Sequence, residues 1–71
     1  MNINEAKRVA ENLAEKNGLN GVALEAIRGK MFIFSYSEND KGDFPSFIIV
    51  RGDEAFITDQ VQSFDVLNMV A

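Results

Sequence analysis

Acid–base chemistry in this chain would have to come from carboxylates, Lys and a single tyrosine, Tyr36, because its 71 residues include no His and no Cys. That composition removes the common general base, the thiolate nucleophile and the nitrogen and sulfur ligands of transition-metal sites. The densest set of carboxylates is Glu38, Asp40 and Asp43, which share one polar stretch. Side chains in such a loop are solvated, and no second carboxylate is spaced to be held opposite them across a cleft, as paired-carboxylate hydrolysis requires. The expectation is a chain that is not an enzyme, with no catalytic residue, no cofactor and no metal.

Four short motifs bear on this reading. With Gly42 at the sixth position of a calcium-binding EF-hand loop, the first position would be Ser37, the fifth Lys41 and the twelfth Ile48, so the ligand set fails at three places and the stretch reads as a turn. Arg28-Gly29-Lys30-Met31-Phe32-Ile33-Phe34 partly resembles the aromatic RNA-binding strand of RRM domains, but Lys30 and Met31 stand at the aromatic and small positions. The helix-first order resembles double-stranded RNA-binding domains, yet Asp59-Gln60-Val61-Gln62 has none of the cations those domains set against phosphate. Arg51-Gly52-Asp53 spells an adhesion tripeptide, and its place between two strands accounts for Gly52 without any such role.

Charge points the same way. The net charge of −4 and the sequence pI near 4.5 argue against a phosphate-binding protein, because affinity for nucleic acid comes from clustered Lys and Arg, and here the seven basic residues are scattered. Mild acidity reads first as solubility and second as a partner with a basic surface. The start Met1-Asn2-Ile3-Asn4-Glu5 has no basic region ahead of an apolar core, so no signal peptide is expected. The longest apolar run is about four residues against the roughly 20 a bilayer needs, so the expectation is a soluble, cytoplasmic protein without a membrane partner.

The elements are legible from period. Ala6, Val9, Ala10, Leu13 and Ala14 recur at helical spacing, with Glu5, Lys7, Arg8, Glu11, Glu15 and Lys16 between them. Asn2 with Glu5, or Asn4 alone, caps the start, and Asn17-Gly18 stops the helix with Leu19 folding back on its last turn. From Val22 the period changes to two, running to a tight turn at Arg28-Gly29-Lys30 and back along Met31 to Ser37. Strict alternation puts Val22, Leu24, Ala26, Met31 and Ile33 on one face, and Ala23, Ile27, Phe32, Phe34 and Tyr36 on the other. Phe47 to Arg51 and Glu54 to Thr58 pair across Gly52-Asp53, with Ile49 opposite Phe56, Ile48 opposite Ile57 and Val50 opposite Ala55. Asp59 and Gln62 have capping-box spacing, which starts a terminal helix near Gln60 that carries Val61, Phe64, Leu67 and Val70. Val66 and Met69 fall elsewhere on the wheel, so this segment is apolar nearly all round; a fifth strand is the alternative for its last residues.

Glu5-Ala6 with Ala10 and Leu13, then Phe32-Ile33-Phe34-Ser35-Tyr36, then Pro45 ahead of Phe47-Ile48-Ile49-Val50, resemble a class of small bacterial toxin-immunity proteins. The resemblance spans much of the chain and implies a helix-plus-sheet domain that neutralises a toxin by binding it. The chain has no Trp and no Gly-Asn before the proline, so no site residue is carried over.

One domain over residues 1–71 is therefore expected, of the α+β class. An N-terminal helix packs on a four-stranded antiparallel meander, and the C-terminal helical segment lies on the sheet or across a dimer, giving the order α-β-β-β-β-α. The helix is expected over the Leu24, Ala26 and Ile33 face. That leaves Phe32, Phe34 and Tyr36, joined by Phe47 or Phe56, as an open aromatic face. Partner-binding residues would then be Phe32, Phe34, Tyr36, Asp40 and Asp43. The expected function is a noncatalytic protein-binding module, an inhibitor or accessory protein of a bacterium or phage, with a self-assembling homodimer as the alternative.

Overall fold

The computed structural model describes residues 1–37 and 46–70. The chain runs α1 (Ile3–Lys16), β1 (Asn20–Arg28), β2 (Met31–Ser37), β3 (Ile48–Arg51), β4 (Glu54–Ile57) and α2 (Gln60–Val70). The strands form one antiparallel sheet in the order β1-β2-β3-β4. This is the expected α-β-β-β-β-α fold, and α2 continues as helix where a fifth strand was the alternative.

Local chemistry sets the boundaries. Asn2 Oδ1 accepts from the Glu5 N–H (2.9 Å) while Glu5 Oε1 accepts from the Asn2 N–H (3.0 Å), a closed capping box at the start of α1. At its other end the Leu19 N–H donates to the Ala14 carbonyl (2.9 Å) with Gly18 at φ +70°, and Leu19 packs back into the core. Gly29 and Gly52, each at positive φ and each first of two loop residues, turn the two hairpins. The β3–β4 register matches the expected pairing at Ile48, Ile49 and Val50.

The sheet is covered on both faces. α1 lays Ala6, Ala10 and Ala14 over Phe32, Phe34, Ile48 and Val50, with Val9, Leu13, Leu19, Val22, Tyr36, Ala55 and Ile57 around them. α2 brings Val66, Leu67 and Val70 onto Ile33, Phe47 and Ile49, with Ala26, Met31 and Phe56 beside them. The expected placement of α1 over Leu24, Ala26 and Ile33 is thus corrected: it takes the aromatic face instead. The physical reason is volume, because methyl side chains at i, i+4 and i+8 bring the helix axis close and leave room beneath for two phenylalanine rings. Phe47 and Phe56, expected to extend that face, lie on the opposite one.

Strict alternation fails in β1, which carries two register shifts. Leu24 pairs with Phe34 and Ala26 with Ile33, so Glu25 is an extra residue and the faces exchange around it. Val22 and Leu24 therefore point with Phe34 toward α1, whereas Ala26 points with Ile33 toward α2. The bulged Glu25 turns its carboxylate to accept from Ser35 Oγ (2.8 Å). The second shift, between Asn20 and Ala23, uses Gly21 at φ +66°, where a Cβ would lie 2.8 Å from Ser37 Oγ.

The alanine stripe gives a direct test. Ala10→Leu should destabilise the fold by about 1–3 kcal/mol or more through overpacking against Phe32 and Phe34, read as a fall in the urea midpoint. An equal fall for Val61→Leu on the outside of α2 would show that close helix approach is not what limits stability.

Candidate binding surface

The position of α2 decides which apolar side chains stay exposed, and a buried chain of hydroxyls decides the position of α2. The Phe47 N–H donates to Thr58 Oγ1 (2.9 Å), Thr58 Oγ1 lies 2.7 Å from Ser63 Oγ, and Ser63 Oγ donates to the Asp59 carbonyl (2.7 Å). With the Ser63 proton given to Asp59, the Thr58 hydroxyl must be the donor to Ser63, so every group in the chain is used once. Ser63 is fully buried and Thr58 nearly so. A second capping box, with Asp59 Oδ1 accepting from the Gln62 N–H (2.8 Å) and Gln62 Oε1 accepting from the Asp59 N–H (2.9 Å), fixes the first turn. At the far end Arg28 Nη2 donates to the Met69 carbonyl (2.7 Å), placing a guanidinium where the helix dipole is negative. α2 thus crosses the sheet from the β3–β4 end to the first hairpin.

These contacts set the rotation of α2 and correct the expected stripe. Ser63, Val66, Leu67 and Val70 face the sheet, while Val61 and Phe64, grouped with Leu67 and Val70 in the expected stripe, are 71% and 50% exposed. Val61 and Phe64 are three residues apart and so neighbours on the outer surface, with exposed Asp65 and Asn68 completing that stripe.

A second apolar surface lies on the other side of the molecule. Met1, Ile3 and Ile27 line an open depression between the start of α1 and the edge strand β1, with Phe32 at its floor. Leu24, also exposed, points to the same side of β1. Neither surface contains a cluster of chemistry-bearing groups: among the described residues no three of His, Cys, Asp and Glu come together as a metal site would need. No helix among them is long and apolar enough to cross a membrane.

The residues expected to form the partner surface are placed differently. Phe34 is 0% exposed and Phe32 is buried beside it under α1, so both rings are interior and the open aromatic face does not exist. Tyr36 is half-buried, and its hydroxyl meets Ser46 Oγ. Asp40 and Asp43 lie outside the described residues. The residues that sequence reasoning missed are Ile3, Leu24, Ile27, Val61 and Phe64. The signal for the last two was Ser63: one hydroxyl in an apolar helix, five residues after Thr58, needs a buried partner and drags the opposite side of the helix outward.

Thr58→Val, which keeps the shape and removes the acceptor of the Phe47 N–H, should cost about 1–3 kcal/mol in urea denaturation. Val61→Thr should stay within about 0.5 kcal/mol of the parent, as exposed substitutions do; equal losses in the two variants would remove the hydroxyl chain as the anchor of α2. In comparisons with protein-family models, with curated proteins and with solved structures, nothing matches this chain.

Proposed function

We propose that this chain is a noncatalytic protein-binding module of the inhibitor or accessory kind. The observation that carries the reading is that large apolar side chains still point outward after each face of the sheet has received a helix: Met1, Ile3, Leu24 and Ile27 along the seam of α1 and β1, and Val61 and Phe64 on the back of α2. Exposed apolar groups gathered into patches mark interaction surfaces, whereas singly scattered ones need no explanation. A composition without His or Cys supports binding over catalysis. The anchors are now aliphatic residues and Phe64, since Phe32 and Phe34 are occupied within the fold.

Self-assembly through the free edge of β1 is the competing reading. The two register shifts weigh against it, because bulges interrupt the row of N–H and C=O groups that a second strand would need, and natural edge strands use them to block such pairing. Sedimentation over a concentration series should return a monomer throughout. The immobilised chain should retain a protein from an extract of its host, and Ile27→Ser or Phe64→Ser should lose that protein while keeping the far-UV circular dichroism of the parent. A dimer at micromolar concentration would replace the binding reading with the assembly one, and retention unchanged in both variants would remove these surfaces from the interaction.

A further inference from the structure

The charge of the chain is unevenly placed. Every Lys and Arg lies at or before Arg51, where seven cations balance seven carboxylates, so the entire net charge of −4 belongs to Asp53, Glu54, Asp59 and Asp65 in the last twenty residues. α2 itself carries no cation, and its outward stripe combines Val61 and Phe64 with Asp65. Folding accounts for the rotation of this helix through the Thr58–Ser63 hydroxyl chain, but it does not account for what stands on the outside. A polar residue at position 61 or 64 would serve solubility and leave the core untouched, and the chain has instead a valine and a phenylalanine there.

Resting on the binding-module reading, we infer that the outer face of α2 docks in an apolar slot rimmed by Lys and Arg on a different protein, with Phe64 and Val61 as the anchors and Asp65 meeting a cation at the rim. Anchors one turn apart on a short helix suit a groove of this kind. A second copy of this chain does not fit. Two-fold packing of α2 on itself would set Asp65 against its own copy with no Lys or Arg on the helix to offset the pair. Anionic membranes and nucleic acids are repelled by the same charge.

The test titrates the full chain, labelled with nitrogen-15, with a synthetic amphipathic peptide of Leu and Lys at physiological ionic strength, beside a matched peptide of Leu and Glu. The expected result is a set of amide shifts centred on residues 61, 64, 65 and 68 with the Lys peptide and none with the Glu peptide. Phe64→Ser and Val61→Ser should each weaken binding by about tenfold or more, as truncation of interface anchors does, and Asp65→Lys should weaken it further with loss of its salt dependence. Two exposed sites are used so that misfolding of one variant, checked by thermal melting, leaves the other decisive. Shifts centred on Glu11 and Glu15 of α1, no shifts at all, or undiminished affinity in both Ser variants would overturn the inference. Equal binding of the Glu peptide would overturn the cationic rim. Shifts centred on Ile3 and Ile27 would overturn the α2 assignment and leave the binding-module reading standing, whereas concentration-dependent dimerisation of the parent, abolished by Phe64→Ser, would give this face to a second copy.

Discussion

The packing of three alanines on two phenylalanines organises this molecule. Ala6, Ala10 and Ala14 carry almost no side-chain volume, so α1 settles close to the sheet, and the space a larger residue would have filled goes to Phe32 and Phe34 from below. A 71-residue chain buries only about 60% of its unfolded surface, so it has little margin for voids. Matching a small stripe to large rings fills the layer at native density with few residues. Once that face is taken, Ile33, Phe47 and Ile49 on the other face need a cover, and the last eleven residues before position 71 provide it.

The second cover obeys a different rule. α2 is apolar nearly all round, so hydrophobic burial alone would accept several rotations about its axis. Its rotation is selected by polar accounting: if Ser63 turned away, the buried Thr58 hydroxyl, which accepts from the Phe47 N–H and donates to Ser63, would lose the acceptor for its proton. A buried donor left unpaired costs about 1–3 kcal/mol, against about 1 kcal/mol forgone by leaving half a phenylalanine in water. The hydroxyl chain wins, and Phe64 faces outward as a consequence.

Most of the architecture was legible because it is written in short-range signals. Capping boxes at Asn2 and Asp59, Gly at the turn positions and the pairing of Ile48 with Ile57 all depend on residues a few positions apart. What was not legible depends on pairs far apart or on a break in period. The bulge at Glu25 exchanges faces without altering the apolar pattern, so strict alternation assigns Val22 and Leu24 to the wrong side while Ile27 stays with Phe32 as expected. The choice of face for α1 needs the volumes of helix and sheet compared together. The tie from Arg28 to the Met69 carbonyl spans 41 positions and leaves no local trace. Because the candidate surface is what remains after these long-range choices, it was the least legible part, and aromatic rings that look like an exposed face in one dimension became the core in three.

The way the chain closes its own core also limits where a partner can act. Inserting into the aromatic layer would require displacing α1, which is fixed by its capping box, its Leu19 return and contacts with all four strands. Strand addition at β1 meets two bulges, and addition at β4 meets a four-residue strand with Glu54 at its start. Among the described residues, side-chain docking on the outer surfaces is the mode that neither of these obstacles meets. There the two patches differ in kind: the seam of α1 and β1 is aliphatic, and the back of α2 combines Phe64 with Asp65 on a helix that has no Lys or Arg in its sequence. Apolar area supplies affinity on either patch, but only the second combines it with a sign of charge, and a sign of charge is what lets a surface this small reject the wrong partner.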